Sequence, residues 1–191
     1  MKDTLSNGAS WNEAAKAGLY FGAISSAYLG LTELIQLVGS AVLQGFLTTV
    51  VWAGKLALCI WLMVFLMRKL VGKYSGVTNS DTFRFGVRTA LLSALIVATV
   101  HALIMIFTPQ ETMDQTFNAL TAQLAGQLDS NSLAMMDSFK ENMPTLTFFS
   151  ELIYCFVFGL ILSLIVSRSI PSRNPFDVQE EDATPEEEDE Q

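Results

Sequence analysis

Four apolar stretches, at 17–37, 46–67, 86–107 and 145–166, decide what this chain can fold into. A helix needs ~20 apolar residues to cross the hydrocarbon core of a bilayer. It also satisfies its own backbone hydrogen bonds, which lipid cannot do. The second and fourth stretches read as the most apolar and have almost no polar face, which argues against a water-soluble bundle. The first and third are rich in Gly, Ala and Ser, and are predicted to face protein more than lipid. The first reads as a retained span and not a cleaved signal. Asp3 and Glu13 precede it, the apolar run is too long, and no clear small-x-small site follows. The expected fold is therefore an all-α polytopic membrane protein with four transmembrane helices.

Charge divides the chain further. Its 191 residues carry a formal net charge of -8, but nine of the 19 acids lie between 177 and 190. Residues 1–176 hold 11 basic and 10 acidic groups, so the body is close to neutral. Residues 169–191 are expected to form an acidic, disordered cytoplasmic tail. No basic face suits a nucleic acid. Lysine and arginine set the orientation. Lys2 and Lys16 precede the first span, Arg68, Lys69, Lys73, Arg84 and Arg88 flank the connection between the second and third, and Arg168 and Arg173 follow the fourth. The opposite side has only Lys140. The positive-inside bias predicts that residues 1–16 and the tail are both cytoplasmic, around a membrane domain at 17–168.

The connection at 108–144 is too long for a plain turn. Thr108, Pro109 and Glu111 read as a helix start, with Met113, Phe117, Leu120, Leu124 and Leu128 forming one apolar stripe after it. Asp129 to Ser132 carry turn chemistry, and Leu133, Met136, Phe139 and Met143 form a shorter second stripe. An external helical hairpin is expected.

Small residues recur every fourth position on two spans: Gly18, Gly22, Ser26 and Gly30 on the first, Gly86, Ala90, Ala94 and Ala98 on the third. Residues four apart share a helix face, so each ridge lets another backbone approach closely. The ridges predict that spans one and three pack against each other, or that either serves a homo-oligomer contact. They are offset by 68 residues, as are Ser25 and Ser93, and Glu33 and His101.

Four ionisable residues fall inside the spans: Glu33, Lys55, His101 and Glu151. Charge in hydrocarbon is costly and needs a partner. Lys55, close to mid-membrane, is predicted to pair with Glu33 or Glu151, with His101 bonded to one of the same carboxylates. Such a cluster serves either as a polar clasp between helices or as a site for an ion, a proton or a polar headgroup. Cys59 and Cys155 lie in apolar runs and read as packing residues. With a single histidine and no GxSxG, Walker or GxGxxG motif, no catalytic, metal or cofactor site is expected, and the chain is not expected to be an enzyme.

Residues 16–23 (KAGLYFGA), 82–86 (TFRFG), 91–96 (LLSALI) and 170–176 (IPSRNPF) resemble a bacterial membrane family called domain of unknown function 4199. The likeness spans about residues 10–176. It implies a four-helix inner-membrane protein without an assigned activity, encoded near a polyprenyl-phosphate type glycosyltransferase. Arg84 and Arg88, four apart at the cytoplasmic interface, would then suit lipid phosphates or serve as ordinary positive-inside anchors. The expected role is a non-enzymatic subunit that scaffolds or modulates a membrane partner, such as a glycosyltransferase acting on lipid-linked sugars. The alternative is a small oligomeric ion- or proton-coupled transporter or channel.

Overall fold

A computed structural model describes residues 4–108, 110–123, 135 and 138–170. Five helices are named in chain order: α1 (Asn7–Gln36), α2 (Ala41–Lys73), α3 (Asn79–Phe107), α4 (Gln110–Gln123) and α5 (Met143–Ser169). The all-α architecture agrees with the reading of the apolar stretches. Helix ends lie beyond the apolar limits because capping residues set them. The Ala9 N–H donates to Ser6 Oγ at the start of α1. Thr78 and Asp81 form a reciprocal capping box on α3. Pro144 stands in the first turn of α5, where its missing N–H costs nothing. Gly76, with φ +69°, supplies the left-handed residue that turns the chain between α2 and α3.

Three helices are long and apolar enough to cross a membrane: α2, α3 and α5, with mean hydropathies of 2.2, 2.5 and 2.3 over their best windows. Averaged over the whole helix, α5 and α2 are more apolar than α3, in keeping with the ranking of the stretches. Aliphatic residues between its alanines still make the middle of α3 apolar enough to span. The helix is protein-facing all the same: 22% of its window is buried, against 17% for α2 and for α5.

The centre of the bundle is α3, packed most extensively against α5 and then α1, while α2 makes fewer contacts. Pairings run in order. Ser10 meets Arg88 and Gly18 lies on Leu92, so α1 and α3 are parallel. Gly86 lies on Ser163 and Gly159 on Ala90, so α3 and α5 are antiparallel. Lys73 reaches Glu13, which sets α2 antiparallel to α1.

One end of the bundle holds the tightest core. Ala14 and Ala17 of α1, Met63, Met67 and Leu70 of α2, Val77, Phe85 of α3, and Val166 and Ile170 at the end of α5 form one buried cluster. Thr4 bridges to Ser75, which brings the chain before α1 beside the α2–α3 connection. The three basic regions therefore share this end.

At the opposite end, Lys140 pairs with Asp114 and so ties residues 138–141 to α4. The turn predicted at 129–132, the stripe positions Leu124, Leu128, Leu133 and Met136, and the acidic tail from 171 onward lie outside the described residues.

Candidate functional site

The two small-residue ridges do not face each other. A Cβ on Gly18 would stand 2.8 Å from the Cβ of Leu92, and one on Gly22 would stand 2.8 Å from Cγ2 of Ile96. Leu92 and Ile96 belong to a different face of α3 from its ridge. That ridge turns to α5: a Cβ on Gly159 would come 2.5 Å from the Cβ of Ala90, and Gly86 lies against Ser163 and Met67. Spans one and three do pack against each other, through the ridge of α1 and another face of α3. A groove lined by small residues accepts a bulky ridge better than another groove, because only the former fills the space. Ala94 and Ala98 are fully buried. Ser26 is half-buried with no hydrogen-bond partner for its Oγ, and Gly30 is exposed with open space beside it.

The intramembrane charges do not assemble as predicted. Lys55 Nζ lies over the ring of Tyr28, 4.5 Å from its centroid. Among the described residues, Lys55 makes no salt bridge with a carboxylate. Helix rise explains the miss for Glu33. It stands about 5 Å from the end of α1, whereas Lys55 stands about 21 Å along α2 from the same connection. Glu33 is exposed near that end. Glu151 turns to other partners. Its Oε1 accepts from the Cys155 thiol at 3.2 Å, and its Oε2 lies 3.5 Å from His101 Nδ1. That last contact is within ion-pair range but lacks hydrogen-bond geometry, so Nδ1 remains buried without a hydrogen-bond partner.

Between α1, α2, α3 and α5 lies a cavity of about 100 Å³. Lys55, Ser25, Thr89 and Ser93 contribute its polar wall; Cys59 and Cys155 both border it. The 68-residue offset thus brings Ser25 and Ser93 to one cavity, while Glu33 and His101 are not brought together. Hydroxyls on these helices commonly donate to a carbonyl one turn back, as Thr99 does to Leu95 and Ser163 to Gly159. Among the described residues, Ser25, Thr89 and Ser93 show no such bond. Thr89 is fully buried and its Oγ1 has no hydrogen-bond partner, a condition that costs ~1–3 kcal/mol. Thr89 carried no sequence signal, since a lone threonine in an apolar helix usually back-bonds.

A second polar region lies at the basic end. Arg88 donates to Ser10 Oγ at 2.8 Å and to Asn7 Oδ1 at 2.7 Å, with its guanidinium 4.8 Å above the Trp11 ring. Arg88 thus ties α3 to the first turns of α1. Arg84 is exposed beside the same polar cleft, which Asp81 also lines. Nearby, Glu13 takes Lys73 at 2.6 Å and lies 3.9 Å from Lys16. The hydrogen bond from Lys73 holds the Glu13 carboxyl below its ordinary value, against a smaller opposing effect of burial. The same bond raises Lys73.

Among the described residues, no three His, Cys, Asp or Glu side chains gather as a metal ion would require. The model of the family described as "Protein of unknown function (DUF4199)" matches residues 16–168. The chain belongs to that family. The match takes in all of α2, α3 and α4 and most of α1 and α5, so the Lys55 cavity lies wholly within the DUF4199 region. The Arg88 partners Asn7, Ser10 and Trp11 precede it. No curated protein and no solved structure matches the chain.

Proposed function

We propose that this DUF4199 protein is a four-span subunit of the bacterial inner membrane that holds or modulates a membrane partner without catalysing a reaction itself. Both termini face the cytoplasm, and α4 with residues 138–141 forms part of an external helical hairpin. The fourth span is α1. Its 30 residues give about 45 Å of helix, and it runs parallel to α3 from the shared basic end. The observation that carries the reading is the uneven packing. Helices α1, α3 and α5 pack extensively together, whereas α2 makes fewer contacts with each of them and is held mainly at the basic end. A rigid three-helix unit with one less committed helix suits a docking subunit.

The favoured partner is a glycosyltransferase working on lipid-linked sugars. This follows from the family's implied neighbourhood and from Arg84, which stays free to meet a lipid phosphate at the basic face. Gentle detergent extraction from native membranes, followed by mass spectrometry, tests the proposal. Retention of such an enzyme in constant proportion supports it; elution of the chain alone or only with itself overturns it.

The His101–Glu151 pair favours a second reading, proton- or ion-coupled transport by an oligomer. Flux in liposomes that disappears with Glu151→Gln would establish that reading.

A further inference from the structure

The Lys55 cavity brings an ammonium and several hydroxyl side chains to one largely apolar chamber. Its polar wall includes an ammonium on α2 and the hydroxyl side chains Ser25, Thr89 and Ser93, of which Thr89 is fully buried with no hydrogen-bond partner among the described residues. The Tyr28 ring offers Lys55 a cation–π contact, which leaves ammonium protons without oxygen acceptors. The remaining wall is mostly apolar, with Phe21, Leu56, Met63, Phe158 and Leu162. Donors converging in an apolar surround call for an anion that brings an apolar body with it. Lys55 lies near the middle of α2, and the cavity of about 100 Å³ has room for a compact head and not for a phospholipid headgroup. A carboxylate is compact, accepts several hydrogen bonds at once, and is matched by one ammonium and neighbouring hydroxyls.

We propose that this cavity binds the carboxylate head of a single-chain amphiphile, with Lys55 as its counter-ion, Ser25, Thr89 and Ser93 as hydroxyl donors, and the chain lying along the apolar wall. Thr89 ceases to be an unsatisfied buried group when the site is filled. Binding of this kind is separate from any partner contact and holds whether or not the chain is a subunit.

Trp52 borders the cavity and provides the readout. The full chain, carrying Trp11→Phe and Trp61→Phe, is placed in phosphatidylcholine nanodiscs and titrated with a brominated long-chain fatty acid. Saturable quenching of Trp52 is expected. The brominated methyl ester, which lacks the charge, should bind about tenfold or more weakly, as should the acid toward Lys55→Met. Thr89→Val keeps the side-chain shape and removes the unsatisfied hydroxyl. It should leave thermal stability unchanged or raised while weakening the acid several-fold, and this arm decides the matter if Lys55→Met fails to fold. Equal quenching by acid and ester, or affinity unaltered by Thr89→Val in a folded protein, overturns the proposal. Displacement by acetate at concentrations equal to the brominated acid also overturns it, because the head alone would then be the ligand.

Discussion

Gly159 of α5 lies so close over Ala90 of α3 that a Cβ on it would stand 2.5 Å from the alanine Cβ and 3.3 Å from its Cα. The Cα belongs to backbone, which cannot step aside as a flexible side chain could. Gly159→Ala should therefore force α3 and α5 apart and cost about 1–3 kcal/mol, the usual range for overpacking. Gly54 is the control. It is a helical glycine with nothing within 4 Å, so Gly54→Ala should be neutral or stabilising, by up to about 1 kcal/mol. Thermal unfolding in detergent compares the two. Equal melting temperatures would contradict the packing described here.

Arg88 holds the first turns of α1 through two side-chain hydrogen bonds and the Trp11 ring. Arg88→Lys cannot reproduce the forked geometry, and Arg88→Ala removes the contact altogether. Each hydrogen bond involving a charged group is worth roughly 1.5–3 kcal/mol. Amide exchange over residues 7–11 should rise in both variants, more in Arg88→Ala, with exchange in the middle of α3 unchanged. No change at the start of α1 would contradict the assignment.

Glu13 and Lys73 tie α1 to α2 at the basic end. The carboxyl is held below its ordinary 4.5, so its contribution is complete above that value and is lost as pH falls through the lowered one. Lys73 is raised above its ordinary 10.5, so its share is present below that value and is lost as pH rises through the raised one. Stability should therefore be flat across neutral pH and drop on the acid side below about 4.5 by less in Glu13→Gln than in the wild type. Because the pair is largely solvent-exposed, added salt should shrink the difference. An acid limb of equal depth in both proteins would show that Glu13 carries none of it.

The helices were legible because a bilayer-spanning length of apolar residues permits few other structures. That the first and third spans are neighbours was legible too, but which of their residues meet was not. A spacing of four between Gly18 and Gly22 identifies a groove, but says nothing about which bulky pair fills it, and Leu92 and Ile96 carry no mark that distinguishes them from other aliphatic residues of α3. The partner of Lys55 was missed for a related reason. Sequence places Glu33, Lys55 and Glu151 in one half of the bilayer, yet hydrogen-bond reach is a few ångströms, and helix rise separates Glu33 from Lys55 by several times that. Arg88 looked free because its partners Asn7 and Ser10 lie 81 and 78 residues away in the chain. The cavity depended on four helices meeting, and its least conspicuous residue, Thr89, is the one whose unsatisfied hydroxyl draws notice once the helices are packed.

Single-cysteine labelling tests the four-span arrangement most directly. In a background of Cys59→Ala and Cys155→Ser, cysteines are introduced one at a time at Gly8 and Ser80, at the basic end, and at Gly39 and Asn118, at the other. In intact spheroplasts a membrane-impermeant maleimide should label Gly39→Cys and Asn118→Cys, and should reach Gly8→Cys and Ser80→Cys only after permeabilisation. Protection of Gly39→Cys alongside Gly8→Cys would mean that α1 does not cross the membrane, and the four-span account would fail.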